Sequence, residues 1–158
     1  MIWQSKVHAN SFFKLKSLTV ENCEKLLTVF PSTETAFLNL EELTITHLKN
    51  LEMIWQSKVH ADSFSKLKSL TVENCEKLLT VFPSTEAAFL NLEWLNITHS
   101  KNLKTIWQSK VHANSFSKLK SLTVENCEKL LTVFPSTEAA FLNLEELTIA
   151  HLKNLEMI

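Results

Sequence analysis

Short stretches in which apolar and polar residues alternate recur along the chain. In the segment SLTVE at 17–21, Leu18 and Val20 are apolar and their neighbours are polar, and ELTIT at 42–46 has the same order. A period of two predicts a β-strand with one face in the core and the other in solvent. We therefore expect Leu18, Val20, Leu43 and Ile45 to point inward, and Ser17, Thr19, Glu42 and Thr44 to point outward.

These strands belong to a repeat that runs through the whole chain. Equivalent residues stand 52 positions apart, as Trp3, Trp55 and Trp107 show, so the chain consists of three near-identical copies. Each copy holds two units that begin with Leu-x-x-Leu, and their lengths alternate between 25 and 27 residues. The six units open at Leu15, Leu40, Leu67, Leu92, Leu119 and Leu144.

Units of about 20 to 29 residues are typical of the leucine-rich repeat, in which one short strand per unit joins a parallel sheet. The prediction is a single leucine-rich repeat domain over residues 1–158, without caps. It is an α/β-type solenoid with a parallel β-sheet on one face and mostly irregular loop arcs on the other. We expect a helical turn around Ser32 to Phe37. The aromatic residues expected to fill the space between sheet and arc are Trp3, Phe12, Phe30 and Phe37.

Charged residues support the same register. The position after the first Leu of each unit alternates in sign, reading Lys16, Glu41, Lys68, Glu93, Lys120 and Glu145. A second column also alternates, reading Glu24, Lys49, Glu76, Lys101, Glu128 and Lys153. Paired strands lie about 4.8 Å apart, so unlike charges in neighbouring units attract where like charges would repel.

Composition excludes most classes of enzyme. The chain has no Gly, whereas P-loops, dinucleotide-binding GxGxxG turns and GxSxG elbows all depend on glycine backbone. It has no Arg, and its 16 Lys are balanced by 16 Glu and Asp62, which leaves no cationic field for nucleic acid. No Ser, His and acid set stands at a suggestive spacing. We predict a protein that is not an enzyme, with no cofactor and no nucleic-acid partner.

Cysteine and histidine positions argue against a disulfide or a metal site. Cys23, Cys75 and Cys127 lie two units apart, about 10 Å in a stacked array, which is too far for a disulfide. We expect them to be buried as small hydrophobic side chains. The histidines form two columns with the same separation, His8, His60, His112 and His47, His99, His151. Zinc ligands converge to about 2.1 Å from one ion, so no metal site is expected.

The start of the chain, MIWQSKVHAN, lacks the apolar core of a signal peptide. No apolar run approaches the roughly 18 residues of a membrane helix. We expect a cytoplasmic location and no membrane contact.

The sequence resembles the leucine-rich region of plant nucleotide-binding (NBS-LRR) disease-resistance proteins. The similar segments are Phe12 to Ser32, Leu38 to Trp55 and their two later copies. They share the Cys-x-x-Leu and Phe-Pro variant, the IW-containing arc and the FxxLKSL segment, over essentially the whole chain. The resemblance implies a region that recognises ligands or effectors and restrains a nucleotide-binding switch. Because no nucleotide-binding domain is present and the copies are so alike, an excised or engineered repeat array stays open beside an intact receptor.

Trp94 is the main candidate for ligand binding. The first outward position of the strands reads Ser17, Glu42, Ser69, Trp94, Ser121 and Glu146, so an aromatic ring replaces the Glu of the sister units. Alternation places Trp94 on the exposed face beside Asn96 and Thr98, and Trp is among the commonest interface hot spots. The acidic residues around it are Glu42, Glu73, Glu125 and Glu146. We predict a basic or neutral protein or peptide ligand, with sequence drift in a spare copy as the alternative.

Ser100 stands at an inward position that Leu48 and Leu152 occupy in the sister units. We expect the buried hydroxyl and the missing leucine volume each to weaken its unit by about 1 to 3 kcal/mol.

The chain shows no polar capping unit, and its last residues repeat the phase of its first. A terminal unit without a cap leaves apolar surface and an unpaired strand edge. We therefore expect a homo-oligomer built head to tail through the terminal repeats. An engineered or structural scaffold that self-associates is the alternative function.

Overall fold

The computed structural model describes residues 12–30, 37–55, 64–82, 89–107, 115–135 and 141–158. The strands in these ranges are β1 (Ser17–Glu21), β2 (Thr28–Phe30), β3 (Glu42–Thr46), β4 (Met53–Trp55), β5 (Ser69–Glu73), β6 (Thr80–Phe82), β7 (Trp94–Thr98), β8 (Thr105–Trp107), β9 (Ser121–Glu125) and β10 (Glu146–Ala150). The described ranges contain no helix. The helical turn expected around Ser32 to Phe37 lies outside them except for Phe37.

One parallel sheet joins equivalent strands of successive units, in the order β1-β3-β5-β7-β9-β10. Each residue pairs with its counterpart in the next unit, so that Leu18 faces Leu43 and Val20 faces Ile45. Of these inward residues, Val20, Leu43 and Ile45 are buried, and Leu18 is half-buried because a strand covers it on one side only. The leucine-rich repeat solenoid is confirmed.

The opposite side of the solenoid carries short strands and irregular arcs. β2 pairs with β4 and β6 with β8, both in parallel. Isolated bridges join Thr132 to Thr105 and to Met157, which extends the same stacking to later units. Within the described residues, the pairing on this side is therefore limited to short segments, unlike the six-stranded sheet.

Phenylalanines stack in a column between the sheet and the arcs. The rings of Phe37, Phe64, Phe89 and Phe116 follow one another with centroid separations of 6.0, 5.8 and 6.1 Å and nearly parallel planes. Phe12 joins the first of these rings at 5.7 Å and Phe141 joins the last at 6.1 Å. Phe30 and Phe37 are buried, as expected, and Phe12 is partly buried. Trp3 lies outside the described residues, while its counterparts Trp55 and Trp107 are buried.

Each sheet strand ends in a turn that requires a positive φ. The residues with φ of 52–55° at these positions are Asn22, His47, Asn74, His99, Asn126 and His151. Left-handed backbone normally favours Gly, and Asn and His are among the residues that tolerate it best. Most of them also donate their backbone N–H across to the next unit, as His47 does to the Glu73 carbonyl oxygen at 3.0 Å. A chain without glycine therefore makes its turns with Asn and His.

The first charge column forms ion pairs between units, as the alternation predicts, and the second does so between Glu128 and Lys153 among the described residues. Glu41 accepts from Lys68 at 2.8 Å and lies 3.6 Å from Lys16 on its other side. In the second column Lys153 lies 3.1 Å from Glu128. The hydrogen bond and charge of Lys68, with a smaller effect of Lys16, lower the pKa of Glu41 from its ordinary value of 4.5. These pairs are exposed, so they favour the correct register more than they add to stability.

The structure describes no helix long and apolar enough to cross a membrane.

Ser100 is completely buried, which confirms its inward position. The expectation of a costly hydroxyl needs correction, because the hydroxyl donates to the Thr98 carbonyl oxygen at 3.3 Å and accepts the Cys75 N–H at 3.4 Å. Both bonds are long, so they offset only part of the missing leucine volume.

We expect Ser100→Leu to raise the free energy of unfolding by about 1 to 2 kcal/mol, because Leu48 is fully buried at the same position of the sister unit. Differential scanning calorimetry should show a rise in Tm of about 2 to 6 °C. The reverse exchange, Leu48→Ser, is the matched control and should lower stability by about 2 to 5 kcal/mol. A fall in Tm for Ser100→Leu would mean that the core around residue 100 has no room for a leucine side chain.

Candidate binding face

Trp94 opens strand β7 on the outer face of the sheet. Its pairing partners are Ser69 and Ser121, which have small side chains. The side chain stays 47% exposed, whereas Leu95 next to it is buried. The period of two in the strand sets this difference, because successive side chains point to opposite faces.

Asn96 and Thr98 lie on the same face of β7, in line with Trp94. Asn96 pairs with Thr71 and Thr123 in the neighbouring strands, and it is exposed. Thr98 is half-buried and stands between two of the predicted carboxylates, Glu73 and Glu125.

The other two predicted carboxylates share the row of Trp94. Glu42 pairs with Ser69, which pairs with Trp94, and Glu146 pairs with Ser121 on the opposite side. Each is thus two strands, or about 10 Å, from the indole. We call the outer sheet surface formed by these seven residues the Trp94 face: Trp94, Asn96, Thr98, Glu42, Glu73, Glu125 and Glu146.

The carboxylates of the Trp94 face are not neutralised by salt bridges. Within the described residues, none of Glu42, Glu73, Glu125 and Glu146 lies within ion-pair distance of a lysine. The nearby lysines of the first charge column are paired with other partners: Lys68 with Glu41, and Lys120 with Glu93 at 2.7 Å. The face therefore keeps a local negative potential.

Lys120 contacts the indole, which the sequence analysis did not foresee. Its ammonium lies 5.8 Å from the Trp94 ring centroid, within the range of a cation–π interaction. The hydrogen bond and charge of Glu93 raise the Lys120 pKa, so the group stays cationic. The signal was present in the sequence, because Lys120 immediately precedes Ser121, the pairing partner of Trp94.

Two of the three cysteines are buried, and the third is exposed. Cys75 and Cys127 are completely buried, and each thiol donates to a backbone oxygen two residues earlier. Burial raises the pKa of both thiols to about 11. Cys23 is exposed, so the expectation of burial is wrong there. Its counterparts lie between two inward side chains, whereas Cys23 has Leu48 on one side only among the described residues.

The described histidines are exposed turn residues. His99 lies with Nε2 3.3 Å from the Asn126 amide nitrogen, and His47 and His151 have the same left-handed backbone. His8, His60 and His112 lie outside the described residues. In the part of the chain that the structure describes, no group of three or more His, Cys, Asp or Glu side chains is arranged to hold a metal ion.

Comparison with known proteins identifies the family. Residues 1–54, 46–106 and 91–158 match the family described as plant disease resistance protein RPS2-like, leucine-rich repeats. The chain belongs to this family. Neither the search of curated proteins nor that of solved structures found a match.

Membership of the plant disease-resistance leucine-rich repeats confirms the resemblance drawn from the repeated sequence. Repeats of this family are non-catalytic interaction modules. In such a module the sheet supplies a regular surface whose inward residues maintain the stack, while its outward residues are free to contact a ligand.

The cysteines should differ strongly in reactivity. At pH 8 a thiol with a pKa of about 11 is only about 0.1% thiolate, and burial also denies reagents access to Cys75 and Cys127. We expect iodoacetamide to modify Cys23 at least about 100-fold faster than either of them, as measured by peptide mass spectrometry over time. In about 6 M guanidinium chloride all three should react at similar rates. Equal rates in the native protein would show that the core around Cys75 and Cys127 opens readily to the reagent.

Proposed function

We propose that this leucine-rich repeat chain is a protein-interaction module whose Trp94 face binds a basic or neutral peptide segment of a protein partner. The observation that carries the proposal is the indole of Trp94, half exposed at the centre of a surface whose four carboxylates form no salt bridge among the described residues.

An exposed indole offers a large apolar area that a ligand can cover. Ser69 and Ser121 on the adjacent strands have small side chains, so a ligand side chain can reach the part of the ring that Lys120 leaves uncovered. Tryptophan is enriched among the residues that dominate binding energy, because it combines a large apolar surface with an N–H donor. Nothing in the stacking of the solenoid requires this side chain, since Glu occupies the position in the sister units.

Charge favours a cationic over an anionic ligand. Glu73 and Glu125 stand on either side of Thr98, and neither has a lysine partner among the described residues. Complementary charge steers a ligand to the surface and rejects partners of like sign. Lys120 already shows that a cation is stable beside the indole, so a ligand lysine or arginine can take the free part of the ring.

The test uses fluorescein-labelled twelve-residue peptides in which four lysines stand in a serine and leucine background, with glutamine and glutamate versions for comparison. We expect fluorescence anisotropy to show binding in the order lysine, glutamine, glutamate. Trp94→Ser should weaken binding of the lysine peptide by about 30-fold, the effect of removing a hot spot worth about 2 kcal/mol. Serine is chosen because both neighbours in the row are serines.

Phe13→Ser is the matched control. Phe13 is 49% exposed, against 47% for Trp94, and serine is the natural residue at the equivalent positions 65 and 117. The control should bind the lysine peptide within twofold of the original chain. Equal loss in both variants would reveal non-specific adsorption to exposed aromatics, and preference for the glutamate peptide would overturn the proposal.

A second candidate function is a scaffold that assembles head to tail. Strand β10 is paired on one side only, and Leu147 in it is 43% exposed while Leu43 in β3 is buried. The charge columns favour this polarity, because Glu145 of one copy would meet Lys16 of the next and Lys153 would meet Glu24. A head-to-head contact that keeps the sheet continuous would instead run the two β1 strands antiparallel, so the charge columns of the two copies would not continue across the junction.

Light scattering over a concentration series tests this second function. We expect the average mass to rise with concentration, and Lys16→Glu to reduce the rise because it places two carboxylates at the junction. In a mixture of the Lys16→Glu and Glu145→Lys variants, both kinds of junction between unlike copies join opposite charges, so assembly should return with the two variants in alternation. A monomeric chain at every concentration would contradict head-to-tail assembly, and Trp94→Ser should leave assembly unchanged.

A further inference from the structure

A groove lies beside the turns that lead from the sheet strands to the short strands β4, β6 and β8. Its cavity volume is about 560 Å³. Met53 and Leu79 form its apolar part, and the ammonium-bearing side chains of Lys77, Lys104 and Lys129 line it. Met53 is 39% and Leu79 is 49% exposed, so the apolar part is open to a ligand. We call it the Lys104 groove.

Among the described residues, the lysines of the groove form no ion pair with a carboxylate, unlike the lysines of the first charge column. Within the residues that the structure describes, no salt bridge involves Lys77, Lys104 or Lys129, whereas Lys68, Lys120 and Lys153 are all paired. Against three lysines the lining contains one carboxylate, Glu52. The groove therefore has an excess of positive charge, opposite in sign to the Trp94 face.

Lys104 carries a charge opposite to that of its counterparts in the sister units. Glu52 and Glu156 occupy its position, and the equivalence is visible in the backbone. The Lys104 N–H donates to the Leu79 carbonyl oxygen at 3.0 Å, as Glu52 does to Leu27 at 3.0 Å and Glu156 does to Leu131 at 2.9 Å. The same backbone thus carries a carboxylate in two places and an ammonium in the third.

We propose that the Lys104 groove binds an acidic peptide segment that also carries an apolar side chain. Lys77 and Lys129 belong to units two apart, about 10 Å along the stack, which a single carboxylate or phosphate cannot bridge. An extended peptide places residues i and i+3 about 10 Å apart, so carboxylates at these two positions can reach Lys77 and Lys129. Met53 and Leu79 accept the apolar side chain between them. The volume falls within the range of about 300 to 1,000 Å³ that is typical of ligand sites.

The probe is a fluorescein-labelled eight-residue peptide with three glutamates and two leucines in a serine background. We expect it to bind the full chain by fluorescence anisotropy and the glutamine version to bind at least about 10-fold more weakly. Lys104→Glu should reduce binding of the glutamate peptide at least about 10-fold. This variant restores the residue found at positions 52 and 156, so the backbone already accommodates it. An unchanged Tm would verify the fold.

Two controls separate this site from general charge effects and from the Trp94 face. Lys14→Glu makes the same change in net charge in the first unit, outside the groove, and should leave binding within twofold. Trp94→Ser should also leave it within twofold, so failure of the Trp94 proposal does not affect this one. Equal binding by Lys104→Glu, equal binding of the glutamine peptide, or displacement of the peptide by about 10 mM inorganic phosphate would each overturn the proposal.

Discussion

Each unit of this protein has an apolar side that only the next unit can cover. A strand of five residues with a short return arc cannot enclose a core alone, so the leucines and phenylalanines are buried by stacking on their own counterparts. Strand pairing fixes the distance between these counterparts at about 4.8 Å. Every other feature must fit that spacing: aromatic rings lie parallel, charges alternate in sign, and the turn after each strand takes the same left-handed backbone.

This constraint explains why the sequence predicted the sheet and its register so well. In a repeat that stacks on itself, the same contact recurs in several units. The alternation of charge between Lys16, Glu41 and Lys68 indicates the register independently of the leucines. The predictions of burial and of its energetic cost were wrong for residues whose surroundings differ from those expected from the repeat. Cys23 has an inward neighbour on one side only, and the Ser100 hydroxyl finds backbone partners that no residue pattern reveals.

The candidate sites were less predictable for a related reason. Alternation locates Trp94 on the outer face, but its contact with Lys120 depends on how the lysine side chain is oriented, which periodicity does not determine. The Lys104 groove joins residues from several units, and it escaped the sequence analysis because no single unit contains it. The left-handed turns were not predicted either, since neither Asn nor His specifies a positive φ as strongly as glycine does.

The unit that opens at Leu92 differs from its sister units more than the others do. Its differences fall into two groups, at outward positions and in the core. Trp94 and Lys104 are changes at outward positions, where stacking imposes no restriction, whereas the change at Ser100 removes leucine volume from the core. Both outward changes remove a carboxylate, yet the Trp94 face keeps four glutamates while the Lys104 groove has an excess of lysines, although the net charge of the chain is only −1. Because salt screens exposed charges beyond about 8 Å, the charges that lie on each surface set its local potential. The net charge of the chain therefore says little about the charge of either surface.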